Sequence, residues 1–77
     1  MLKPHKYFNL EFSVFHISAL IIQKLLQHKL LKYDELYNFL LATKGENIKD
    51  VFPIAINFLF LLNKIEYHQQ IDTFELI

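Results

Sequence analysis

The 77-residue sequence has no cysteine, no arginine and no tryptophan, one glycine and two prolines. Without cysteine there is no disulfide scaffold, no thiolate zinc site and no cysteine nucleophile. A cysteine-free chain of this size fits the cytoplasm. One glycine excludes a glycine-rich phosphate loop. The most apolar run, Val51–Leu62, has twelve residues and contains Pro53 and Asn57. A membrane span needs about 20 apolar residues, so no membrane association is expected. The start, Met1 to Lys6, does not lead into a signal-peptide core.

The length suits one small domain. It is too short for a two-domain dinucleotide-binding fold or a barrel. Hydrophobic residues make up 53% of the chain. A domain of this size buries only about 60% of its unfolded surface, so part of the apolar excess is expected to meet a partner. Eight Lys balance eight Asp and Glu, and a net charge near zero removes the strongest signature of nucleic-acid binding. The charge is uneven, however. Residues 1–32 hold five Lys and one Glu, while residues 33–77 hold three Lys and seven acids.

Along the chain, Tyr7, Phe8, Leu10 and Phe12 alternate loosely, and residues 1–12 read as an extended N-terminal arm. A single domain is expected over residues 13–77. Ser13 is a plausible N-cap for a first helix running to Lys29, with Val14, Phe15, Ile21, Ile22, Leu25 and Leu26 on one broad face. Leu20 falls on the polar side, as a surface or interface residue. Leu30-Leu31-Lys32 reads as a brief strand. Asp34 is expected to cap a second helix, with Glu35 in its first turn, Leu36, Tyr37 and Leu40 buried, and Lys44-Gly45 at its end. Asp50 is the expected cap of a third helix from Val51 to about Asn63, which places Pro53 at its third position. Ile65/Tyr67 and Phe74/Leu76 alternate at period two, which predicts a β-hairpin around Gln69-Gln70. The fold class is mainly α with a small β-hairpin. Helix, short strand, two helices and a β-wing form the layout of a winged helix-turn-helix.

A DNA-reading helix-turn-helix needs donors and acceptors on its second helix. Here Val51, Ala55, Phe58, Leu59 and Leu62 are expected to face the core. Asn57 lies opposite with Pro53, Phe60 and Leu61, an apolar set suited to a protein partner. Residues 65–77 contain Glu66, Asp72 and Glu75 but no Lys, so phosphate would be repelled there. Lys3, Lys6, Lys24, Lys29 and Lys32 read most simply as a solvated face, with weak contact to a nucleic-acid backbone as the alternative. Asn57 has two open readings: a hydrogen bond across an interface, or a cap on a buried backbone group. The interface set is therefore Leu20, Phe39, Asn57, Phe60 and Leu61.

No catalytic constellation emerges. His5, His16, His28 and His68 form no i, i+4 pair or HExxH-type spacing, so no metal or cofactor is expected. Ser13 and Ser18 have no nucleophile context.

The chain resembles the small middle components of prokaryotic ABC-three-component systems. The resemblance rests on Lys3-Pro4-His5-Lys6, Ser13–Ala19 and Lys32-Tyr33-Asp34-Glu35-Leu36. It is strongest over Ile56–His68 and Asp72-Thr73-Phe74-Glu75. Asn63 stands where the family commonly has Gly, and Asn also tolerates a left-handed helix end. The resemblance implies a non-catalytic winged-helix adaptor acting with an SMC- or Rad50-like ABC ATPase and an effector, often a nuclease, as in Lamassu-type anti-phage and anti-plasmid defence. Nucleic acid would be met indirectly or weakly, through the complex. The competing readings are a stand-alone DNA-binding regulator and, third, self-association through the same apolar patch.

Overall fold

A computed structural model describes the backbone of residues 5–77 and the side chains of residues 13–77. Helix α1 spans His5–His28, strand β1 Leu30–Lys32, helix α2 Tyr33–Lys44 and helix α3 Ile48–Leu61. Strand β2 (Ile65–His68) and strand β3 (Thr73–Leu76) follow, joined through a 3-10 turn at Gln69–Ile71. The architecture is mainly helical, with a small three-stranded antiparallel sheet in the order β1-β3-β2.

The extended arm expected over residues 1–12 is corrected from His5 onward, because α1 already begins there. Residues 1–4 lie outside the described residues. No Pro or Gly interrupts residues 5–44, and Tyr7, Leu10, Val14, Ile17, Ile21 and Leu25 recur at steps of three and four. That is the helical period, and it runs straight through Ser13. Ser13 is therefore an interior helical residue and not an N-cap.

The buried stripe of α1 is narrower than its apolar pattern. Ile17, Ile21 and Leu25 are in the core, while Phe15 and Leu26 are 60% and 68% exposed. Helix α1 ends where Lys29 turns left-handed at φ 64°. Its N–H still bonds the Leu25 carbonyl at 2.7 Å, and the chain then enters β1.

Helix α2 starts one residue before the expected cap. Lys32 is its N-cap, and the Glu35 carboxylate accepts the Lys32 backbone N–H at 3.0 Å. The Tyr33 N–H, unpaired within its own helix, donates to the Asp72 carbonyl at 2.9 Å. The hairpin thus supplies what the helix start lacks. Leu36 and Leu40 are fully buried and Tyr37 partly so. Gly45 ends the helix as expected, with φ 86° and its N–H on the Leu41 carbonyl at 2.8 Å. Only glycine adopts that conformation without steric cost.

Helix α3 begins at Ile48 with Asn47 as N-cap, so Asp50 lies within its first turn instead of capping it. The Ile48, Lys49 and Asp50 N–H groups close a tight turn onto Gly45, Glu46 and Asn47 carbonyls. The earlier start moves Pro53 into the helix interior, where it withholds an N–H from the Lys49 carbonyl. Lys49 is exposed, and water can serve that group. At the other end Asn63 takes φ 58°. The Asn63 N–H bonds the Phe60 carbonyl at 3.0 Å and the Lys64 N–H bonds that of Leu59 at 3.0 Å. These two bonds make a Schellman stop, with Asn in the position usually taken by Gly.

The brief strand β1 pairs with β3, Leu31 opposite Phe74. Strand β2 pairs with the other edge of β3, Tyr67 opposite Phe74 and Glu66 opposite Glu75. Leu31, Ile65 and Phe74 close the sheet onto a core of Ile17, Ile21, Leu25, Leu36, Leu40, Ile48, Val51, Phe52, Ala55, Ile56 and Leu59. Each large side chain buried in this way contributes about 1.5–3 kcal/mol.

Candidate protein-docking surface on the third helix

After the charged Lys49 and Asp50 of its first turn, helix α3 carries apolar residues on both its inner and outer sides, which a helix at the surface of a small domain does not need. Ile48, Val51, Phe52, Ala55, Ile56 and Leu59 are buried. The opposite face holds Pro53, Ile54, Asn57 and Leu61, all exposed, and Leu61 reaches 82%. Asn57 contributes the only polar side chain among these four. Its exposure is at odds with a cap on a buried group. Phe58 is half-buried and Leu62 is exposed, so neither belongs to the core face on which the sequence pattern placed them.

Aromatic contacts border this face on two sides. On the α1 side, the Phe15 and Phe58 rings meet edge to face, with centroids 5.3 Å apart. On the hairpin side, the buried Phe74 gathers three half-exposed rings. Phe60 lies at 6.4 Å, Tyr33 at 5.7 Å and Tyr67 at 5.0 Å between centroids. Tyr33 also meets Phe52 at 5.3 Å and stacks on Tyr37 at 6.4 Å. Tyr33 and Tyr67 are absent from the set read off the sequence. For Tyr67 the signal was present, since it alternates with Ile65 on the inward face of β2. For Tyr33, at the start of α2, no local pattern indicates its neighbours.

Phe60 and Leu61 belong with Asn57 on this surface. Leu20 and Phe39 do not. Leu20 sits about 140° around α1 from Phe15 and is half-buried against the core. Phe39 is half-buried too, with the Lys24 ammonium 4.2 Å above its ring. The expected interface set thus divides between two sides of α1.

Lys24, Lys29 and Lys32 surround the α1–β1 junction. There Lys24 stacks on Phe39, and Glu35 stands beside Lys24 and His28 in the same shallow depression. An acid within the group weakens its pull on phosphate.

The Tyr67 hydroxyl donates to Asp72 Oδ1. That bond, followed by smaller desolvation and the nearby Asp72 charge, raises the Tyr67 pKa above its ordinary value. The left-handed Asp72, φ 51°, therefore closes the hairpin through its side chain and serves α2 through its carbonyl. On the outer sheet face, Glu66, His68 and Glu75 are the described residues grouped closely enough to hold a metal ion. Among the described residues no helix is long and apolar enough to cross a membrane.

No curated protein and no solved structure matches the chain. The family described as ABC-three component (ABC-3C) system Middle Component 8 matches residues 29–77. The matched segment begins at Lys29, the left-handed residue that ends α1, and takes in all of β1, α2, α3 and the hairpin. More than half of the chain is covered, and the chain belongs to the ABC-three component (ABC-3C) system Middle Component 8 family.

Proposed function

We propose that this chain is a non-catalytic winged-helix adaptor of a prokaryotic defence complex of the Lamassu type. In this reading the outer face of α3, with Phe60, Tyr33 and Tyr67 at its border, docks on an SMC- or Rad50-like ABC ATPase in the cytoplasm. The adaptor helps to couple DNA sensing by that ATPase to an effector such as a nuclease. Family membership supports a place beside other components of an ABC-3C system. The order of helices and strands, with β2 and β3 as the wing, supports the winged-helix reading.

The observation that carries the docking surface is the exposed apolar face of α3. In a DNA-reading winged helix this element would enter the major groove. Here its exposed residues are Lys49, Asp50, Pro53, Ile54, Asn57, Phe60 and Leu61, and one lysine beside an acid, with one amide, is little to read base edges with. Aromatic rings on a partly desolvated platform are instead the usual anchors of protein interfaces.

The test is co-expression with the ABC ATPase of the same system and pull-down in high salt, which screens weak electrostatic contacts. The wild-type chain should be retained and Phe60→Asp lost. Retention of a folded Phe60→Asp variant at wild-type level overturns the docking surface. Tight, steeply salt-dependent DNA binding by the chain alone would replace the adaptor with a stand-alone regulator.

A further inference from the structure

The outer face of the hairpin collects a donor set that the adaptor reading does not use. Side chains alternate across a strand, so Glu66 and His68 share one face of β2, and Glu75 lies on the same face of β3. Glu66 and Glu75 are paired directly across the ladder. Like charges in that arrangement repel. The His68 imidazole lies against both, with Nε2 at 2.7 Å from Glu75 Oε1 and 3.9 Å from Glu66 Oε1. No lysine makes an ion pair with either glutamate among the described residues. The three donor atoms all lie within 4.8 Å of one another.

We propose that Glu66, His68 and Glu75 bind a divalent transition-metal ion of the zinc class. One imidazole and two carboxylates suit such an ion, whereas calcium and magnesium favour oxygen ligands alone. With metal–ligand bonds of about 2.0–2.2 Å, neighbouring donors of a tetrahedral ion stand roughly 3.3 Å apart. That value lies between the two nitrogen–oxygen distances, so small side-chain rotations bring the donors into place. All three side chains are partly exposed, at 39–59%, which leaves them free to rotate. The backbone beneath them is held at both ends. The Ile77 N–H bonds the Lys64 carbonyl at 2.9 Å, and Tyr67 bonds Asp72 across the turn. The ion neutralises the opposed glutamates and ties β2 to β3. A fourth coordination position remains for water or for a donor from another molecule.

The inference is independent of the adaptor reading, and Zn²⁺ itself is the probe. One equivalent added to the full chain should shift the His68 ring signals in imidazole-resolved NMR and leave the other three histidines in place. Competition with a chromophoric chelator should show at least a tenfold loss of affinity in His68→Ala and in Glu75→Gln, with the fold checked by circular dichroism. An unmoved His68 ring in the wild-type chain overturns the site. So does a His68→Ala variant that binds Zn²⁺ as tightly as wild type. Either result leaves His68 as a hydrogen-bond partner of Glu75.

Discussion

The Phe15 ring stands edge-on to the Phe58 ring, with an interplanar angle of 79°, and this contact is where the outer faces of α1 and α3 join. Phe15 stays largely exposed, so the pair does not belong to the core. Phe15→Ala should cost about 0.5–1.5 kcal/mol, the range of an aromatic pair. Phe52→Ala, which empties a fully buried site, should cost about 3–5 kcal/mol. Urea denaturation of the two variants measures the difference directly. Equal losses would place Phe15 in the core.

Lys29 adopts a left-handed backbone between α1 and β1, a conformation that costs a residue with a Cβ roughly 1–2 kcal/mol. Lys29→Gly should therefore raise stability by about 1 kcal/mol. The gain appears as a higher denaturation midpoint with an unchanged slope.

Tyr67 holds its proton more tightly in the folded chain, chiefly because its hydroxyl donates to Asp72. Its folded pKa lies above the unfolded value of about 10. The stabilisation is complete below that pH and is lost as pH rises through the folded pKa. Stability measured from pH 8 upward should accordingly fall more steeply in the wild-type chain than in Tyr67→Phe. Parallel curves would remove the linkage.

The two groups of residues expected at an interface should behave differently in complex formation. If the proposed adaptor role holds, Leu61→Asp should abolish retention of the chain on its ATPase partner, because it places a charge on the most exposed apolar residue of the α3 face. Phe39→Ala should leave retention intact, since Phe39 lies under Lys24 on the other side of α1. Pull-down with both variants decides which surface docks.

The legible parts of the fold are those encoded over short stretches. Gly45 and Asn63 stop their helices in left-handed or glycine-like backbone, and each signal occupies a single residue. The alternation of Ile65 with Tyr67 and of Phe74 with Leu76 was enough to predict the two strands. Helix α1 shows the limit of that approach. Its heptad-like spacing through Tyr7, Leu10 and Val14 was hidden by the loose alternation of aromatics beside it. The start of α3 was displaced because Asp50 is as comfortable inside the first turn as at the cap, where the helix dipole favours an acid in either place.

The α3 face was half legible for the same reason. Asn57, Phe60 and Leu61 share one side of one helix, and the helical period placed them together. Leu20 and Phe39 were grouped with them because exposed apolar character carries no direction in space. The cluster of Glu66, His68 and Glu75 shows this more sharply. Helical spacing relates residues within one element, whereas Glu66, His68 and Glu75 meet only once β2 and β3 are in register.

By itself, then, the sequence determined the helices α2 and α3, the two hairpin strands, their stops, and the apolar outer face of α3, because each follows from local period and backbone preference. Tertiary structure alone decided that Ile17 is buried while Phe15 and Leu26 are not, and that Phe74 gathers Tyr33, Phe60 and Tyr67 from three separate elements. A periodic pattern gives the angle of a residue around its own helix or strand. Which neighbour fills that angle depends on how the elements pack, and packing is settled by the whole core at once.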